Sequence, residues 1–171
     1  MKKILPLIAI SVFAVGCAQT PATTASTAST GSTAIDFGDF SSETLTTKAW
    51  RAMDRADYSA AVTYADKCIE LYTEQALDMQ AEIELKRETE EVKRKQTNQE
   101  VFDNWALNDV GTSYFIKGEA LLNMGREEEA IEAYKVVMNQ LYFANTYDPQ
   151  GWFWSPAEAA GKKVVMLSND F

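Results

Sequence analysis

A ladder of small and large residues occurs twice in this chain, 69 residues apart, and it restricts the fold more than any other feature. In the later copy, Tyr114, Gly118, Leu121, Ala130, Tyr134 and Val137 flank Gly125; 69 residues earlier stand Leu45, Ala49, Ala52, Ala61, Ala65 and Cys68, flanking Ala56. Two antiparallel helices come close only where neither presents a bulky side chain. Small residues at these intervals, with a turn residue between the halves, therefore specify helical hairpins, and Gly118 against Ala130 is the expected close crossing. Between Gly38 and Gly111 there is neither Gly nor Pro, and the alternation of a strand is missing. The expected fold is all-α.

The later copy also resembles the tetratricopeptide repeat, whose period of about 34 residues is close to half the observed separation. It follows that family's order of large, small and large residues in one helix, then small, aromatic and small apolar residues in the next. The earlier copy keeps the small residues and has Ala at both aromatic positions. The resemblance implies a short solenoid of helical hairpins, with about five to seven helices. A middle copy would need Ala near positions 95 and 96, where Lys95 and Gln96 stand, so an extended helical hairpin is expected there instead.

Local signals place the helices. Ser41 or Ser42 is a cap for a first helix to about Arg55, Ala56-Asp57-Tyr58 forms a turn, and a second helix starts near Ser59. Pairs four apart (Glu82 with Lys86, Glu90 with Arg94, Glu91 with Lys95) describe a solvated helix, although Ile83, Leu85 and Val92 could form a seam for another chain. Thr97-x-x-Glu100 is a capping box opening a helix that reaches Met124 or breaks at Gly111. Glu127, Glu128 and Glu129 suit a first helical turn, where carboxylates complement the dipole. Ser155-Pro156-Ala157-Glu158 starts a last helix to about Leu167.

The N-terminus carries an address. Lys2 and Lys3 precede an apolar run from Ile4 to Val15, shorter than the roughly 20 residues of a bilayer-spanning helix, as in a secretory signal peptide. Its end, Ala14-Val15-Gly16-Cys17, resembles a bacterial lipobox with Ala where that family most often has Leu; plain secretion after an A-x-A-like site is the alternative. The resemblance makes residues 1–16 a lipoprotein signal peptide and Cys17 the lipidated residue. Ala18 after the cysteine implies an outer-membrane destination facing the periplasm. Residues 17–40, rich in Thr, Ser and Ala, read as a flexible linker, and 41–171 as the helical domain.

Charge and residue inventory exclude several functions. Without the first 16 residues, 14 basic and 25 acidic side chains give a formal charge of −11, a surface that repels nucleic acid. The chain has no His, and with Cys17 acylated Cys68 is the remaining thiol, so no cysteine–histidine metal centre and no cofactor is expected. Cys68 falls at a small-residue position and is expected buried; a disulfide-linked dimer is the alternative. No nucleophile elbow, P-loop, zinc-protease or dinucleotide motif occurs, so no enzymatic activity is expected.

Two sets of residues are candidates for binding. In tetratricopeptide domains the first helix of each hairpin lines the inner groove, which by resemblance places Thr46, Trp50 and Met53 beside Phe115, Glu119 and Leu122. Such a groove is apolar with acidic edges and suits a protein or peptide partner. Trp50, Met53, Phe115 and Leu122 are its candidate contacts, and the implied function is that of an interaction adaptor anchored in the bacterial envelope. The second set is an aromatic loop, Tyr147, Trp152, Phe153 and Trp154, threaded by Asp148-Pro149-Gln150-Gly151. It either covers the open end of the solenoid or offers ring faces to a ligand, the latter giving an alternative function as a glycan-binding module or glucan hydrolase. Residues 107–160 are similar to small bacterial exported repeat proteins whose aromatic stretch ends in GWFW. Glycosidic hydrolysis needs two carboxylates flanking a cleft, for which Asp148 and Glu158 are nearest.

Overall fold

A computed structural model describes residues 35–89 and 96–168. Cys17, the signal segment, residues 18–34 of the linker, Val92 and the pairs involving Glu90 and Glu91 lie outside the described residues. The fold is all-α: α1 (Ser42–Asp54), α2 (Tyr58–Thr89), α3 (Asn98–Asp103), α4 (Trp105–Asn123), α5 (Glu127–Gln140) and α6 (Pro156–Ser168), with a small hairpin of β1 (Thr146–Asp148) and β2 (Trp152–Trp154) between α5 and α6. Among the described residues, no helix is long and apolar enough to cross a membrane.

The domain starts earlier than its composition suggests. Phe37 packs edge-on against Tyr64 at 5.9 Å, Lys48 binds Asp36 at 3.0 Å, and the Tyr72 hydroxyl donates to the Phe40 carbonyl at 2.9 Å. Residues 36–40, which composition assigns to the linker, are thus fastened to α1 and α2. Ser41 then caps α1, its Oγ accepting from the Thr44 amide.

Both hairpin turns have the same geometry. After α4, the Gly125 and Arg126 amides donate to the carbonyls of Leu122 and Leu121; after α1, Ala56 and Asp57 donate to Met53 and Ala52 in the same pattern. This is a Schellman motif, in which the residue after the cap is left-handed. Gly125 adopts φ 73° and Ala56 φ 56°. Only Gly takes that conformation without a steric cost, so Ala56 is strained where its counterpart is not.

The ladder positions form the core. Leu45, Ala49, Ala52, Ala61, Ala65, Cys68, Ala130, Tyr134 and Val137 are fully buried. The close crossing at Gly118 is with Tyr134 rather than Ala130: a Cβ on Gly118 would lie 2.3 Å from the Tyr134 ring. The buried Cys68 thiol sits beside Thr46 and Ser113, and desolvation pushes its pKa up to about 11. Neither burial nor pKa favours the disulfide-linked dimer.

Helix α4 is the hub, touching α1, α2, α3, α5, α6 and β1, most extensively α2. The two copies of the ladder are therefore neighbours in space, and the residues between them are carried by the long α2 and the short α3. The far half of α2 is not a bare solvated helix. Ile83 is buried in the chain's own core, Gln80 accepts the Phe143 amide, Glu84 accepts the Tyr142 hydroxyl at 2.6 Å, and Arg87 stacks on the Phe143 ring. Leu85 is exposed, and Glu82 pairs with Lys86 at 4.0 Å.

The break after the Thr97 capping box falls at Asn104, not Gly111. The Asn104 and Asn108 side-chain amides donate to the carbonyls of Glu100 and Val101, both at 2.6 Å, replacing helical partners. Gly111 instead continues α4 because Ala144 presses on it; an added Cβ would come within 2.6 Å of the Ala144 methyl. The aromatic segment is a hairpin rather than a loop, with Thr146 opposite Trp154 and Asp148 opposite Trp152.

Equilibrium urea unfolding tests the asymmetry of the turns. Ala56→Gly is expected to stabilise the domain by about 0.5–1 kcal/mol and Gly125→Ala to destabilise it by about 1–2 kcal/mol. Gly118→Ala should cost about 1–3 kcal/mol, because the Tyr134 ring must move.

Candidate functional site

The hairpin is held over the inner face of α1 and α4. Asn108, buried in α4, accepts the Asn145 amide at 2.9 Å, and the hydroxyls of Thr112 and Thr146 lie 2.7 Å apart. The hairpin turn has Asp148, Pro149 and Gly151 where a type I turn favours them. The Gly151 amide donates to the Asp148 carbonyl at 2.8 Å, and the Gln150 amide to the Asp148 carboxylate at 2.8 Å. Alternation along the strands then sends Trp152 and Trp154 to one face and Phe153 to the other.

That alternation joins the two candidate sets. Trp154 enters between Trp50 and Phe115, its ring centroid 6.5 Å from Trp50 and 5.3 Å from Phe115, while Trp50 and Phe115 are 6.4 Å apart. Around them lies an open cleft of about 600 Å³, whose walls include Trp50, Phe115, Tyr147, Trp152 and Trp154. Met53 and Leu122 do not line it; both pack, partly buried, against the core. Phe153 faces away, against Phe102 at 5.7 Å and Tyr147 at 5.1 Å. Thr46 lines the cleft and bonds Ser42. Glu119 is engaged elsewhere, accepting from Tyr134 at 2.6 Å and from Lys163 at 2.7 Å.

The cleft is acidic. Glu43, Asp109 and Asp148 are among its lining residues, and no Lys or Arg is. Asp109 has no counterpart among the sequence candidates. Burial, with the nearby Glu43 charge adding to it, pushes its pKa up to about 6, against a hydrogen bond donated by the Ser42 hydroxyl. Its only sequence signal was an acid on the face of α4 that meets α1, where packing alone calls for an apolar residue. Asp148 and Glu158, the pair nearest the aromatic segment, open onto different clefts.

Residues 111–136, from the middle of α4 through the Gly125 turn into α5, match the tetratricopeptide repeat family model. This segment is a tetratricopeptide repeat. Among curated proteins and solved structures, no match to the chain is found. The α1–α2 pair has the repeat's turn geometry and small-residue ladder, and it packs beside the matched repeat through α1 and α4. Such a repeat is a protein–protein interaction module.

Asp109 gives a signed test. A carboxyl whose folded pKa exceeds its unfolded value contributes most below the unfolded pKa, and that contribution is lost as pH rises through about 6. Asp109→Asn should therefore stabilise the domain at pH 7 by about 1–2 kcal/mol, since the carboxylate keeps partial contact with water. The advantage should shrink toward pH 4 in thermal or urea unfolding.

Proposed function

We propose that this chain is a non-enzymatic adaptor: a lipid-anchored repeat domain that holds a protein partner in the bacterial envelope. The observation that carries this reading is the convergence of Trp50 and Phe115 from the two inner helices with Trp154 from the hairpin, forming one cleft on the repeat's inner face. Aromatic rings that remain partly exposed beside a rigid helical frame are common energetic anchors at interfaces. Tyr147 and Trp152 are about half exposed, at 47% and 50%, leaving ring surface available.

The anchor is proposed from the lipobox resemblance at Cys17, with the Ser/Thr-rich linker holding the domain off the outer membrane on its periplasmic side. Cys17→Ser is expected to leave the chain unacylated and move it from the membrane pellet to the soluble fraction. Unchanged partition would refute the anchor without touching the adaptor assignment.

Partner capture is tested by photocrosslinking in intact cells from a probe at Trp152, with mass spectrometry of the adducts. Trp50→Ala combined with Phe115→Ala should reduce capture at least about tenfold, as expected for interface anchors. Circular dichroism should confirm that helix content persists. Capture at wild-type levels by the folded double variant would remove the cleft from the adaptor role.

A further inference from the structure

A second cleft adjoins the first. It has a volume of about 530 Å³, and Tyr72, Phe102 and Trp105 line it together with Glu43, Asp109, Thr146 and Tyr147, the last four of which it shares with the cleft around Trp50. Ring faces thus lie to either side of a middle section that contains two carboxylates. On one side stand Trp50, Phe115 and Trp154; on the other, Tyr72 and Trp105 meet edge to face at 5.7 Å, and Phe102 meets Tyr147 at 5.9 Å.

The middle section has an unrelieved electrostatic cost. Asp109 is largely buried and feels the like charge of Glu43. Its hydrogen-bond donor is the neutral hydroxyl of Ser42. No Lys or Arg lines either cleft. Lys48 and Lys117, from the same two helices, are already paired with Asp36 and Asp66. A cation placed between Glu43 and Asp109 would relieve their repulsion, and the flanking rings would accept apolar groups attached to it.

Taking the adaptor reading as its basis, we propose that the joined clefts bind an extended peptide segment of the partner through a central arginine side chain, with apolar neighbours against the rings. A planar guanidinium can bond carboxylates and stack on aromatic faces at once, which a compact ammonium cannot. Apolar residues before and after it occupy the two aromatic ends. A lone small cation would leave those ends empty.

Capped hexapeptides with one arginine among leucines, and the same peptides with citrulline as a neutral isostere, provide the probe. They are titrated into the full chain in detergent and followed by calorimetry and tryptophan emission. The arginine peptide should bind about tenfold more tightly than the citrulline peptide. Glu43→Gln, which changes an exposed side chain, should reduce that ratio, and Glu43→Gln with Asp109→Asn should erase it while sparing citrulline binding.

A second readout is pH. Arginine affinity should rise as pH increases through about 6, as Asp109 ionises among Glu43 of α1, Tyr72 of α2, and Tyr147 and Asp148 of the hairpin. Equal affinity for the two peptides, or a ratio untouched by the double variant, overturns the arginine assignment and leaves the adaptor reading standing. Absence of binding by either peptide, with crosslinked capture still dependent on Trp50 and Phe115, overturns it in the same way. An emission shift with glucan fragments and none with peptide would overturn both readings.

Discussion

Close approach to α4 is the constraint on which the rest of the structure depends. A helix touched by α1, α2, α3, α5, α6 and β1 cannot present large side chains on every side. Its buried face accordingly includes Gly111, Thr112, Ser113, Gly118 and Ala120. Each small residue admits a particular neighbour: Ala144 at Gly111, the Tyr134 ring at Gly118, and the Thr46 hydroxyl 3.4 Å from Ser113. Interiors are packed densely enough that one added methyl at such a point displaces a whole element. Reach of this kind lets a single helix act as the second helix pair's base and the first pair's cover.

The same constraint explains how two copies 69 residues apart can be adjacent. What matters for stacking is that α4 meets α1 and α2, and the intervening chain need only return to the right place. α2 does so by running on to Thr89, with its far half covered by Tyr142 and Phe143 from beyond α5. The insertion is thereby closed by the C-terminal half of the domain, and it does not behave as a separate hairpin. A regular middle repeat would have supplied a further inner helix. Its absence leaves the inner face short, and the β1–β2 hairpin occupies part of it.

Much of this architecture was legible because packing leaves a spacing in the sequence. The ladder, the turn at Ala56 and Gly125, the Thr97 capping box and the Ser155-Pro156 start all report local or pairwise helix geometry, which residue size and backbone chemistry encode directly. Gly111 misled because a glycine's local signature is the same whether it ends a helix or makes room for a distant methyl group. The hairpin was readable in part: Asp148-Pro149-Gln150-Gly151 is a turn signature, but strands of three residues are too short for alternation to stand out among six aromatics. The union of Trp50, Phe115 and Trp154 could not be read from spacing, since it depends on Asn108 and Thr112 fixing the hairpin from a different part of the chain.

Asp109 shows where local consistency gives way. At the α1–α4 contact, Thr46 and Ser113 satisfy one another at low cost, and an apolar residue at 109 would extend that seam without any charge to desolvate. A carboxylate there, raised in pKa and facing Glu43, is a local conflict within an otherwise mutually consistent core. Such conflicts concentrate at functional sites, where the residue's benefit appears only when a ligand is present. Its position strengthens the argument. Asp109 lies on the boundary shared by the two aromatic clefts, the one place where a buried negative charge could act on whatever spans both.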